Sequence, residues 1–474
     1  MTLQSTLYLV FLPAVWLVVL ALRRPKARQC GLLLASYFFY AMWSPLFLLL
    51  LVATSLFNFF FAERLRRKAE AGVLWTGLGV NLLLLGSLKY LPSILGSAGV
   101  ASPPLVSLFA AVGLSFYTFQ AMSYLLDIFR CDDEVRPTLI EFLLYMAFFP
   151  TVLAGPICRV GEMVPQFRAM QQPGWDDVAT GARRIILGLF MKIVVADMMG
   201  YGIASSEGVN TGFDALAGGW SGMDAWFLAI GFGFQLFFDF AGYSNLAIGS
   251  ARLFGIRVRE NFNAPYLSCT PAEFWTRWHI SLSLWIRDYL FFPLATARRE
   301  LWWRNLALVL AMAVFGLWHG AALTFILWGV YQGILLVAHR VIQRVWPPAE
   351  REAGAVAKVA MAAASWAATF FPVSLGWLLF RAGSLKQALA MLAAAVTPAG
   401  FFRHTMRPNF YVLVLMVVAG YFLTVALGAL AVRAQRYPAL GRALWLASPV
   451  LYSAMIVAII VWTRQSSTFV YFQF

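Results

Sequence analysis

Two histidines sit where a side chain could carry a proton for group transfer. His279 lies in a stretch where Glu273, Arg277, Arg287 and Asp288 alternate with Phe274, Trp275, Trp278, Trp285 and Tyr289. His319 falls between Trp318 and Gly320, where one apolar run gives way to the next. Imidazole is the one side chain whose ordinary pKa, about 6.5, lets it take and return a proton near neutral pH. A general base acting on a hydroxyl as it attacks a thioester needs that property. The alternative for His319 is structural, as a cap on a helix end or a hydrogen bond to a neighbouring helix. Ionisable groups inside spanning segments are functional as a rule, so both readings stand. His339, beside Arg340, and His404, in a polar stretch, read as solvated.

A second polar cluster, Asp239, Tyr243, Ser244 and Asn245, interrupts an apolar helix. Such groups need partners and should face a cavity or a polar network. Inter-helix hydrogen bonding and a direct part in the chemistry are both open for them. A metal is not expected, because zinc needs three or four His, Cys or carboxylate ligands and the sequence clusters none. Neither a P-loop nor a dinucleotide fingerprint is present. Cys30, Cys131, Cys158 and Cys269 show no Cys-x-x-Cys spacing and no obvious pairing.

The elements that must hold these residues are membrane helices. The 474 residues are 61% hydrophobic and only 12% charged, against roughly a quarter charged in soluble chains. Apolar runs of about 17–25 residues recur from end to end, each long enough to cross a bilayer. The net charge of +15 could suggest a nucleic-acid partner, yet the basic residues form short clusters between apolar runs, as cytoplasmic loops do. Nucleic acid is therefore not expected. The first run, Tyr8 to Leu22, has no basic region before it and no cleavage pattern after it, and reads as a retained helix.

Arg23, Arg24, Lys26 and Arg28, then Arg64, Arg66, Arg67 and Lys68, mark cytoplasmic loops and place the N-terminus outside. The stretch between them must enter and return, with Pro45 where two helices meet. Residues 142–184, broken at Phe148-Phe149-Pro150 and Ala154-Gly155-Pro156, and residues 260–304 each begin and end on the basic side. Both read as re-entrant, because irregular or polar structure at membrane depth needs protein or water around it. The spacing predicts an all-α polytopic protein of roughly eleven crossings plus re-entrant helices. It would be a single domain over residues 1–474, with a short extracytoplasmic tail at 465–474.

Several stretches together resemble the membrane-bound O-acyltransferases, within them the alginate O-acetylase branch. They are Gly113-Leu114-Ser115-Phe116-Tyr117-Thr118-Phe119-Gln120, Phe148-Phe149-Pro150 with Ala154-Gly155-Pro156, and Phe237-Phe238-Asp239-Phe240-Ala241-Gly242-Tyr243-Ser244. The series continues through Glu273-Phe274-Trp275-Thr276-Arg277-Trp278-His279, Trp285-Ile286-Arg287-Asp288-Tyr289-Leu290 and Gly316-Leu317-Trp318-His319-Gly320. The resemblance implies helices around a central passage in a bacterial inner membrane, between a cytoplasmic acetyl-CoA donor and an extracytoplasmic polysaccharide. By position His319 matches the family's catalytic histidine and His279 its second one. No bound cofactor is expected. Arg277 and Arg287 could attract the donor's phosphates, or serve only as topology signals. Ala295-Thr296-Ala297-Arg298 departs from the branch's Gly-Gly-Asn-Arg run, and Ala241 and Asn245 replace a common Ser and Asp. The acceptor is thus open among alginate, acetylated cellulose and peptidoglycan.

Two rivals from other classes are a transporter or flippase, which would show paired halves with broken helices, and a non-catalytic scaffold of a secretion complex. The external stretches 201–221 and 382–408 are each shorter than the roughly 50 residues a folded domain needs. A separate periplasmic or membrane-anchored SGNH-hydrolase-like transferase is therefore expected as a partner, besides the surrounding membrane lipids. In the C-terminal tail, Tyr471 reads either as part of an interfacial aromatic belt or as a transient acyl carrier. A phenol leaves more readily than an aliphatic alcohol.

Overall fold

The computed structural model describes residues 1–97, 112–131, 135–202, 207–214, 219–345, 354–434 and 438–463. Among these residues the secondary structure is helical, with no strand. Among the described residues seven helices are long and apolar enough to cross a membrane, and Thr6–Ala21, Leu385–Val396 and Leu446–Trp462 are shorter apolar helices. The protein is a multi-pass membrane protein. Its described residues pack as two compact units, one of Met1–Ile185, Tyr243–Asn261 and Leu284–Tyr289, the other of Ile186–Gly242, Phe262–Ser283 and Leu290–Phe474.

In the first unit, helices Pro25–Ala41 and Pro45–Arg67 meet where the sequence predicts. Pro45 occupies the first position of the second helix, where its missing N–H costs nothing, and the Ser44 side chain accepts from the Leu46 amide at 3.2 Å. The interruption between helices Leu139–Ala147 and Val160–Ala169 holds both predicted breaks, and its amides turn back on Phe148 O and Thr151 O. Gly113, with φ +82°, precedes helix Leu114–Arg130 with its α-carbon pressed against Val152 and Leu153, so a side chain there would meet both the strain and the backbone. Two residues of the interrupted apolar helix have partners in this unit. Ser244 accepts from Asn261 at 3.2 Å, and Asn245 accepts from Arg184 at 2.8 Å.

The second unit is built on the antiparallel pair Leu301–His319 and Leu323–Val345. Gly316 lies against Phe325, Gly329 against Met312 and Gly333 against Val309, all through backbone atoms. Gly329 and Gly333 form the small-xxx-small spacing that lets helix backbones approach closely in lipid, where no hydrophobic force drives them together. A third helix, Ala355–Arg381, joins them, and Tyr331 donates at 2.8 Å to the carbonyl of Pro372, the helix's internal proline. Gly329→Ala places a methyl inside the Met312 carbonyl, and the expected loss is about 1–3 kcal/mol of stability. Thermal unfolding in detergent checks it against Gly420→Ala, a site with nothing within 4 Å. Equal melting of the two variants would show that the pair has room to separate.

The stretches expected as plain external loops contain helices of their own, Val209–Asp214 and Leu385–Val396. The second helix buries Ala388, Met391 and Ala395, and its Ala-rich run has high helix propensity although its twelve residues are too few to cross a bilayer. Helix Trp175–Leu189 continues into a π-helical segment, Phe190–Ala196.

Candidate functional site

His319 is the last residue of helix Leu301–His319 and is 2% exposed. Gly320 follows it, and its amide closes the helix on Leu317 O at 3.1 Å. Because the chain turns straight into helix Leu323–Val345, the imidazole projects among side chains of three helices. Its ring lies 5.2 Å from Phe315, 5.3 Å from Trp328 and 4.9 Å from Phe380, centre to centre. Aromatic edges and faces, rather than charged groups, form these contacts.

His279 occupies the joint between helices Pro271–Arg277 and Ile280–Ile286. The first helix starts at Pro271, with the Thr270 hydroxyl accepting from the Glu273 amide at 3.0 Å, a capped beginning. It ends after seven residues because Trp278 is extended and His279 is left-handed, with φ +41°. The second helix is tied back by Ser283, whose amide donates to His279 O and whose hydroxyl donates to Trp278 O, both at 2.9 Å. A non-glycine residue in the left-handed region is strained, and such residues gather at functional sites. The fully buried His279 ring packs 4.5 Å from Phe240 and 5.9 Å from Trp318. Trp318 is itself 4.9 Å from the His319 ring, so one indole touches both imidazoles.

The other sequence-predicted residues divide into groups. Trp278 lies in the same unit, buried between Phe274 at 5.5 Å and Trp377 at 5.0 Å, as scaffold of the joint. Glu273 and Arg277 pair with each other at 2.7 Å on one helix face, and Glu273 also accepts from the Cys269 amide. Arg287 and Asp288 belong to the other unit and pair at 2.7 Å, and Arg159 reaches Asp288 at 3.5 Å. Tyr243 and Ser244 are buried in that unit as well. Tyr471 lies outside the described residues.

Asp239 has a partner that the sequence reading passed over. The ammonium of Lys192 lies 2.7 Å from Asp197 and 2.7 Å from Asp239, and all three side chains are buried. Lys192 and Asp197 are five residues apart, a spacing the wider π turn of Phe190–Ala196 brings onto one side. Gly242 helps, because its bare α-carbon lets the long helix Gly222–Leu253 lie against the backbone at Gly188 and Lys192. The signal was available, since a lysine and an aspartate inside one apolar run are rare and conspicuous in a membrane.

The family comparison gives this multi-pass helical protein its class. The chain belongs to the membrane-bound O-acyltransferase (MBOAT) family, which matches residues 102–380 and so includes both histidines. It is an O-acyltransferase. Among its relatives is the probable alginate O-acetylase AlgI of Pseudomonas aeruginosa, 36% identical over 407 residues, covering 83% of this chain and 74% of that protein. The peptidoglycan O-acetyltransferase of Helicobacter pylori is 34% identical over 409 residues, covering 79% and 75%. The teichoic acid D-alanyltransferase of Bacillus subtilis is 28% identical over 307 residues, covering 60% and 74%. The transporter and scaffold readings give way to an enzyme.

Proposed function

We propose that this enzyme takes acetyl from acetyl-CoA at the cytoplasmic face of the inner membrane for O-acetylation of an extracytoplasmic polysaccharide. The observation that carries this reading is the pair of buried imidazoles against Trp318. His319 would take the proton from the attacking hydroxyl as its oxygen bonds to the thioester carbon; the carbon–sulfur bond then breaks, and the thiolate leaves to be protonated as free CoA. His279 would assist by holding or relaying that proton. The names of the relatives support a cell-envelope polymer as acceptor, and the D-alanyltransferase among them supports some latitude in the acyl group.

Arg277 and Arg287, both engaged with carboxylates, are weaker candidates for holding the donor than free arginines would be. Transfer to polymer would need a second, extracytoplasmic transferase of the SGNH-hydrolase type, with Tyr471 either as the acyl carrier to it or as an anchor. Purified enzyme in vesicles with labelled acetyl-CoA outside tests the proposal. Release of CoA dependent on acceptor and partner is the expected result. Acceptor acetylation from a different donor, with acetyl-CoA untouched, would overturn the donor assignment.

A further inference from the structure

The helix pair that ends in His319 has a second polar end. Because helices Leu301–His319 and Leu323–Val345 are antiparallel neighbours, Arg304 in the opening turns of one comes to the same end as Arg340 and Arg344 near the close of the other. The three arginines open onto a cavity of about 440 Å³, within the roughly 300–1,000 Å³ range of small-molecule sites. The helix between Arg304 and His319 is about 22 Å long, so this cavity is distinct from the histidine site.

Three features describe its ligand. Among the described residues no carboxylate lines the cavity and none of the three arginines forms an ion pair. The positive charge therefore calls for an anion, and guanidinium forks suit phosphate oxygens. The rim is apolar and open, with Phe292, Leu301 and Val341 exposed at 49%, 52% and 48%. In a membrane protein such side chains face hydrocarbon. The arginine-rich end is also the one that the excess of basic residues assigns to the cytoplasm, the leaflet side where basic pockets between helices hold anionic headgroups.

We propose that this cavity binds the phosphodiester of an anionic phospholipid, with Arg304, Arg340 and Arg344 around the headgroup and an acyl chain along Phe292, Leu301 and Val341. A nucleotide-bearing donor also carries phosphates, but its polar adenosine would leave that apolar rim against water. The lipid satisfies both halves of the site.

Native mass spectrometry of the purified full chain, titrated with phosphatidylglycerol or phosphatidylcholine in neutral detergent, tests the assignment. The expected result is at least tenfold preference for phosphatidylglycerol. Replacing all three arginines by glutamine should remove that preference, while replacing them by lysine should retain most of it. Should the triple glutamine variant not elute as a monodisperse species, the single variants Arg304→Gln, Arg340→Gln and Arg344→Gln decide, each with several-fold weaker binding expected. Wild-type preference in a folded triple variant, or in all three singles, overturns the proposal. So does a tenfold loss of acetyl-CoA binding in the glutamine variants with phosphatidylglycerol preference unchanged, which would mark the cavity as a donor site.

Discussion

His319→Ala is expected to lower acyl transfer by about 100- to 10,000-fold, the contribution of a positioned general base, while the chain still inserts into the membrane. The substitution removes the proposed proton carrier and adds no charge to the apolar surroundings. It also leaves a void beside Phe315, Trp328 and Phe380, so some activity could be lost through packing alone. His319→Gln separates the two effects, since the amide fills much of the same volume but takes no proton. Both variants should be equally inactive in polymer acetylation while the glutamine variant melts closer to wild type. Normal acetylation in either would end the assignment. His279→Ala should impair transfer too, and if it turned over at the wild-type rate at every acetyl-CoA concentration, the role given to that histidine would be withdrawn.

The second large effect concerns Lys192. One ammonium lies between two buried carboxylates, Asp197 and Asp239, each 2.7 Å away. Charges in such a setting owe their stability to each other, and removing one partner strands the rest in a medium that solvates them poorly. Lys192→Met should therefore cost about 3–5 kcal/mol and reduce the amount of folded protein in the membrane. The triple substitution Lys192→Met, Asp197→Asn, Asp239→Asn removes the stranded charges as well and should recover much of that loss. If Lys192→Met alone melts with the wild type, the three groups are not a stabilising unit. If the triple variant is stable but inactive, the cluster serves the chemistry beyond its structural part.

The features that were legible in the sequence are those written in local pattern. Apolar length and basic clusters reveal the spanning helices, Pro45 marks a helix start, and the switch from Trp318-His319 to Gly320 marks the end of one. The aromatic and charged alternation of residues 273–289 is matched by short helices rather than a span. What stayed hidden depends on partners remote in the chain or on backbone geometry. Lys192 and Asp197 stand out inside their own apolar run, but nothing near Asp239 announces Lys192 as its partner, because the two residues lie on different helices. Pairing Glu273 with Arg277 needed only helical spacing, and four residues between opposite charges is a readable signal. The left-handed residue at 279 has no such mark, since no glycine stands there to announce a positive φ.

That backbone turn makes two separate demands at one position. The chain asks residue 279 for a positive φ, which glycine and asparagine meet more easily than histidine does. The proposed chemistry asks for an imidazole. Descendants of this protein that abandoned transfer but kept the fold would have no reason to hold the harder residue, and would drift there towards glycine or asparagine. Histidine at this position in a distant copy is then a record of continued use, paid in strain, and its replacement by the easier residues a record of retirement.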